Sequence, residues 1–239
     1  MKTAFLLLAV AAGALAGCGP AHPPSPPAGS SIRLSATLDD PTDVTLRWSG
    51  VDPHAAGSAV EFTSDPPGEF AVLQFVPPEQ TTFDHRDLMP QTGFCYRLRP
   101  YFGPASTIVD VALPPGDFDE NAHAKDPDWA APRAASGAAQ RTSIRQPGRP
   151  TAGAPTGLRA GIADPNGIVF TWADHATDEE GFLLEAAPAG RPFRVVAVLD
   201  PNVTRFGLVT LPEEKHAAYR VRAHYYGASS PLATIHTGG

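Results

Sequence analysis

The sequence predicts an all-β protein built from two β-sandwiches, and three observations lead there. The stretch Tyr96-Arg97-Leu98-Arg99, followed by Tyr101-Phe102-Gly103-Pro104-Ala105-Ser106, is written again near the C-terminus as Tyr219-Arg220-Val221-Arg222, followed by Tyr225-Tyr226-Gly227-Ala228-Ser229-Ser230. Such an echo within 239 residues divides the chain into two small units. With 27 prolines, 22 glycines and only 18% charged residues, the composition suits short strands and frequent turns better than long helices. Within both units apolar residues recur at every second position, the period of half-buried strands.

The first residues carry an address. Lys2 supplies a basic start, Ala4 to Ala16 is an apolar and glycine run, and Leu15-Ala16-Gly17-Cys18 closes it. The run is shorter than the about 20 residues that span a bilayer, so residues 1–17 read as an export signal. Leu15-Ala16-Gly17-Cys18 resembles a bacterial lipobox, which implies cleavage before a lipidated Cys18; an ordinary signal peptide with a small-residue cleavage site is the alternative. Acyl chains add about 0.8 kcal/mol of membrane affinity per buried CH₂. Gly19 stands where inner-membrane lipoproteins of Gram-negative bacteria often carry Asp, which leans the expected destination to the outer membrane. Residues 18–30, rich in proline, form an extended stalk at about 3.1 Å per residue. With Cys18 consumed, Cys95 has no partner for an intramolecular disulfide.

In the first module, residues 31–113, Ile32, Leu34, Ala36 and Leu38 alternate with polar residues, and Val44, Leu46 and Trp48 do so after the turn-forming Asp39-Asp40-Pro41. Val60 and Phe62, then Phe70, Leu73 and Phe75, then Phe94, Tyr96 and Leu98, and finally Ile108 to Leu113 continue the series. On the sixth strand the two-residue alternation places Phe94, Tyr96 and Leu98 inward and Cys95, Arg97 and Arg99 outward, which predicts an accessible Cys95 thiol; the alternative is a register shift that buries Cys95 as a small hydrophobe. His85-Arg86-Asp87-Leu88 superficially matches a kinase catalytic loop, but Thr92 stands at the metal-binding Asn position and no glycine-rich loop precedes it, so it reads as a turn.

The order of Trp48, Leu88-x-Pro90-x-Thr92-x-Phe94 and Tyr96-Arg97-Leu98-Arg99 resembles a fibronectin type III domain, an immunoglobulin-like sandwich. In the second module, residues 154–237, Trp172 is followed by Asp174, Asp178, Glu179 and Glu180, then Gly181-Phe182-x-Leu184-Glu185, which resembles the bacterial form of that family over the whole module. The resemblance implies two such sandwiches with Trp48 and Trp172 as core anchors. Where the family carries its corner tyrosine these modules have Phe94 and Ala217, so the hydroxyl bond of that corner is expected to be missing.

Residues 114–153 lose the alternation, begin acidic and end basic, and are expected to be a disordered linker. Its Phe118 and Trp129 read as packing on a module's flank or, alternatively, as binding a partner. Asp117-x-Asp119-x-Asn121 has the opening spacing of a calcium loop but lacks the turning glycine, with Ala122 in its place. The acidic loop after Trp172 reads as turn caps and solvated glutamates rather than a metal site.

No nucleophile elbow, zinc-helix motif or phosphate loop is written in the sequence, so neither a catalytic residue nor a cofactor or metal is expected. A net charge of -7 argues against nucleic acid as a partner. Two functions remain. One is a lipid-anchored envelope protein, held to the membrane through Cys18, whose sandwiches act as non-catalytic spacers or protein-binding surfaces. The other is an accessory carbohydrate binder with Tyr101, Phe102, Tyr225 and Tyr226 as an exposed aromatic platform.

Overall fold

The computed structural model describes residues 31–116, 126, 128–134, 140–146, 148–211 and 214–239. The export signal, Cys18, the stalk, Phe118 and the calcium-like spacing from Asp117 onward lie outside the described residues.

The chain forms two immunoglobulin-like β-sandwiches. In the first, β1 (Arg33–Asp40), β2 (Asp43–Ser49) and β5 (Thr82–His85) make one sheet, and β3 (Gly57–Ser64), β4 (Ala71–Val76) and β6 (Gly93–Phe102) belong to the other. A tight hairpin at Pro41-Thr42 sets the register of β1 on β2, and the inward residues Val44, Leu46 and Trp48 meet Val60, Tyr96 and Leu98 in a common core. Strand β5 is not evident in the sequence, because Thr82-Phe83-Asp84-His85 offers one apolar side chain; its place comes from pairing with β2. In the second sandwich β9 (Thr156–Asp164), β10 (Gly167–Ala173) and β13 (Val203–Val209) oppose β11 (Gly181–Pro188), β12 (Arg194–Leu199) and β14 (His216–Tyr226), with Ile168, Phe170, Trp172, Phe182, Leu184 and Tyr219 between them.

The seventh strands are exchanged. β7 (Val109–Ala112), which ends the first sequence module, pairs with β14 of the second sandwich, while β15 (Ala233–His236) pairs with β6 of the first. Core membership follows the pairing: Val111 is buried in the second core and Ile235 packs on the first. The boundaries 31–113 and 154–237 therefore delimit sequence repeats, and each sandwich takes its closing strand from the other repeat. The Gly-Ser stretches after β6 and β14 run on across the junction instead of turning back within their own repeat. Ser106 Oγ accepts from Val221 N at 3.1 Å and Ser106 N donates to Val221 O at 2.8 Å; Ser230 makes the matching pair with Leu98 at 3.0 and 2.8 Å. Gly103 has φ of +119°, and a Cβ there would stand 2.0 Å from the Ala223 carbonyl oxygen, so only glycine lets the chains cross this closely. Where they cross, Tyr225 pairs with Phe102 and Tyr226 with Tyr101, joining both sandwiches in one eight-stranded sheet.

The described part of the linker is ordered, contrary to expectation. β8 (Arg133–Ala134) adds to the edge of β13, and Thr142 N donates to His175 O at 2.8 Å. Trp129 is buried over Gly167 and Gly207, where a Cβ would come within 2.9 Å of its ring, and Ile144 enters the second core. Burial of Trp129 and Ile144 offsets part of the entropy of ordering this polar segment. Trp129 is thus a flank-packing residue and not an exposed binding one.

Two further expectations change. The corner hydroxyl absent at Ala217 is supplied two residues later, where Tyr219 donates to the Glu214 carbonyl at 3.1 Å; in the first sandwich the Tyr96 hydroxyl lies 3.0 Å from His85 Nδ1 instead. Cys95 shares the outer face with Arg97 and Arg99, as its register requires, yet it is only 1% exposed. Thr234 on the exchanged β15 and Asp65 cover its sulfur, with contacts of 3.6 and 3.8 Å, so the predicted accessible thiol is buried without any change of register.

Candidate functional site

The outer faces of the two long sheets carry matching charged clusters built around a buried glutamate. Glu61 on β3 and Glu185 on β11 both sit at β-bulges, which re-aim a side chain out of the regular pleat. Their exposures are 1% and 2%, and each is compensated by two arginines from the neighbouring strand. Glu61 accepts from Arg97 Nε and Arg99 Nη2, both at 2.5 Å. Glu185 accepts from Arg220 Nε and from Arg222 through Nε at 2.8 Å and Nη2 at 3.2 Å. Aromatic rings cover the guanidinium groups: Phe70 lies 4.0 Å from Arg97, Tyr226 3.7 Å from Arg99 and Phe193 4.0 Å from Arg220. Two of these contacts cross the junction, the Arg99 stack on Tyr226 and a bond of 2.7 Å from Arg222 Nη1 to the Gly103 carbonyl. The spacing Glu61/Glu185 is visible in the repeat, but a glutamate on an outward strand position reads as solvated, so these clusters were not legible as sites.

Beside the second cluster the sandwiches leave a cleft of about 490 Å³. Phe75 and Tyr101 line it from the first sandwich, and Phe193, Arg194, Arg220 and Arg222 from the second. Tyr101 packs edge-on against Phe75 with ring centroids 5.7 Å apart, and burial, helped by Glu185, pushes its hydroxyl up to about 12.

The four aromatic residues expected to form an exposed platform are placed differently. Tyr101 is 4% exposed, Phe102 stacks on Tyr225 at 5.5 Å, and Arg145 lies over Tyr225 at 4.6 Å. They lie on the paired ends of β6 and β14, and the junction consumes their faces. The geometry thus corrects the platform reading, because the segments that would have been hairpin loops are continuous strands.

The acidic loop after Trp172 holds the linker. Asp174 pairs with Arg141 at 3.0 Å and caps the turn at Ala176 N, Asp178 accepts from Ser143 Oγ at 2.6 Å and Ile144 N at 2.8 Å, and Glu180 meets Arg145 at 2.7 Å. The basic end of the linker finds its counter-charges here, so these carboxylates are not fully solvated.

His224 is 1% exposed, stands edge-on to Tyr226 at 5.0 Å, and its buried Nδ1 has no hydrogen-bond partner. Burial pushes it down to about 4 from 6.5, with Arg99 and Arg222 acting in the same direction and the Gly181 backbone and Glu180 opposing. Because the folded value lies below the unfolded one, the neutral ring contributes fully above about pH 6.5, and that contribution is lost as pH falls toward about 4. A shift of this size corresponds to on the order of 3 kcal/mol. Chemical denaturation at pH 7.5 and 4.5 should show a larger loss of stability in the parent than in His224→Gln; equal losses would contradict it.

No protein-family model matches this chain, and no curated protein does. Among solved structures, a two-domain fibronectin type III segment of chicken tenascin shares 15% identity over 87% of this chain and 98% of that one, with a TM-score of 0.27. The FN1–FN3 domains of chicken CNTN1 share 13% over 86% of this chain and 65% of that one, with a TM-score of 0.26. A fibronectin type III domain of human collagen XX shares 13% over 28% of this chain and 70% of that one, again with a TM-score of 0.26. The sandwich assignment rests on strand order and register in the chain itself.

Proposed function

We propose that this chain is a lipid-anchored protein of a bacterial cell envelope whose two sandwiches form one non-catalytic spacing and binding body. The observation that carries the reading is the reciprocal exchange of β7 and β15. Tandem domains joined by a simple linker are expected to move relative to one another. Here each sandwich is completed by the other, and a continuous sheet runs through the junction, so a surface is presented in a fixed orientation. Charge is spent on holding that body together, in the Glu61 and Glu185 clusters and in the pairs that tie the linker to the acidic loop. The lipobox-like Leu15-Ala16-Gly17-Cys18 and the proline-rich stalk supply attachment and reach, and Gly19 favours the outer membrane.

The anchor is tested by replacing Cys18 with alanine. The parent should sediment with membranes and incorporate a fatty-acid analogue, whereas Cys18→Ala should be unlabelled and either unprocessed or released. Labelling that survives the substitution would defeat the reading. The partner is expected to be a protein, to be identified by crosslinking on intact cells.

A further inference from the structure

We propose that the cleft between the sandwiches binds a small organic carboxylate bearing an aromatic or apolar body. The site names a ligand class for the binding role proposed above and requires no anchor, so its test is independent of Cys18.

A volume of about 490 Å³ falls within the range of small-molecule sites, roughly 300 to 1,000 Å³. Its walls are of two chemistries. Phe75, Tyr101 and Phe193 give flat apolar surface, and Arg194, Arg220 and Arg222 give cationic surface. Arg194 is paired with Glu214 at 2.8 Å, and Glu79 also lines the cleft, so the charge offered to a ligand lies with Arg220 and Arg222, two guanidinium groups that share the single carboxylate Glu185. Two arginines on one carboxylate suit a monoanion.

The guanidinium that would receive the anion is Arg220. Its Nε is engaged with Glu185 and its plane rests on Phe193 at 4.0 Å, so the group is held before any ligand arrives, while its side chain stays 27% accessible. Such a fixed fork suits bidentate recognition of a carboxylate and loses little entropy on binding. Arg222 has a different task. With Nε and Nη2 on Glu185 and Nη1 on the Gly103 carbonyl it is scaffold, only 10% accessible.

The first sandwich provides an internal comparison. There Glu61 holds Arg97 and Arg99 in the same arrangement, but Tyr226 from the other repeat lies over Arg99 at 3.7 Å. On the second cluster the corresponding guanidinium, Arg222, is turned onto the crossing strand, and the cleft opens beside it. The repeats share the cluster, and Arg97 and Arg99 are as accessible, at 27% and 28%, as Arg220 at 27%; what distinguishes the second copy is the cleft beside it.

The test uses the full chain in mild detergent, with 4-phenylbutyrate as probe and neutral 4-phenylbutan-1-ol as its uncharged counterpart, followed by calorimetry and amide-shift mapping at low salt. The carboxylate should bind at least about tenfold more tightly than the alcohol, with shifts around Phe75, Tyr101 and Phe193. Arg220→Gln should weaken it by about tenfold, and Arg97→Gln, which does not line the cleft, should leave it unchanged. Equal binding of acid and alcohol, an equal loss in Arg97→Gln, or no binding at millimolar probe would overturn the proposal. Should Arg220→Gln fail to fold, Phe193→Ala, which removes the platform and keeps the charge, must lose the binding. Failure of all binding arms would leave the spacing role and the Cys18 test untouched.

Discussion

Removal of residues 231–239 from the C-terminus should unfold the N-terminal sandwich and leave the C-terminal one standing. The deleted segment carries β15, which pairs Ala233, Thr234, Ile235 and His236 with Tyr96, Cys95, Phe94 and Gly93 of β6. Its loss exposes the edge of a strand whose Tyr96 and Leu98 are wholly buried, removes Ile235 from the first core, and strips Thr234 from the Cys95 sulfur. For a domain whose whole stability is roughly 5 to 15 kcal/mol, losing a strand of seven is a large fraction. Cys95 should pass from slow to immediate labelling by a thiol reagent in native buffer, with the urea midpoint of the first sandwich collapsing. The reciprocal experiment is Val111→Asp. Although Val111 belongs to the first repeat, it is 6% exposed within the second core, so the charge should melt the C-terminal sandwich. If the truncated chain kept Cys95 protected and lost the C-terminal sandwich instead, each repeat would be closing on its own last strand.

Trp172→Ala should cost about 3 to 5 kcal/mol, the range for emptying a large aromatic site in a packed core. Trp172 is 6% exposed and its ring meets Phe182 at a centroid distance of 5.7 Å. Its indole nitrogen is buried and has no hydrogen-bond partner, so this tryptophan contributes apolar volume while its N–H remains unsatisfied. Trp172→Phe should therefore lose much less than the alanine variant, since it removes the orphan donor together with part of the ring. Equilibrium denaturation of the two variants checks this. A phenylalanine variant as unstable as the alanine one would mean that the nitrogen is in use, and an alanine variant near the parent would deny Trp172 its place in the core.

The parts of this protein that were legible in the sequence are those set by local period and composition. Trp48, Leu46 and Val44, or Trp172, Phe170 and Ile168, fall on one side of a strand because side chains alternate at every residue, and no distant partner can alter that. The same alternation placed Cys95 on the face of Arg97 and Arg99 correctly. What covers that face is another matter. A period of two says which side a residue takes but not whether an exchanged strand, a stacked ring or a buried glutamate lies over it, which is why Cys95, Glu61 and Glu185 are buried where solvent was expected.

Partner choice escaped local reading for a related reason. Val109 and Val111 on β7 have the same alternating apolar form as Ala233 and Ile235 on β15, so either segment fits the free edge of β6 or of β14. Only the path of the chain through Gly103, Ser106 and Ser230, with β6 and β14 meeting end to end, decides between folding back and crossing over. Likewise the linker looked too polar to order until Gly167 and Gly207 made room for Trp129 and the acidic loop faced Arg141 and Arg145. Sequence alone determined two β-sandwich repeats and their core residues. The tertiary structure decided which edges close them, what is buried on their outer faces and where a cleft opens, because those depend on surfaces that residues far apart in the chain bring together.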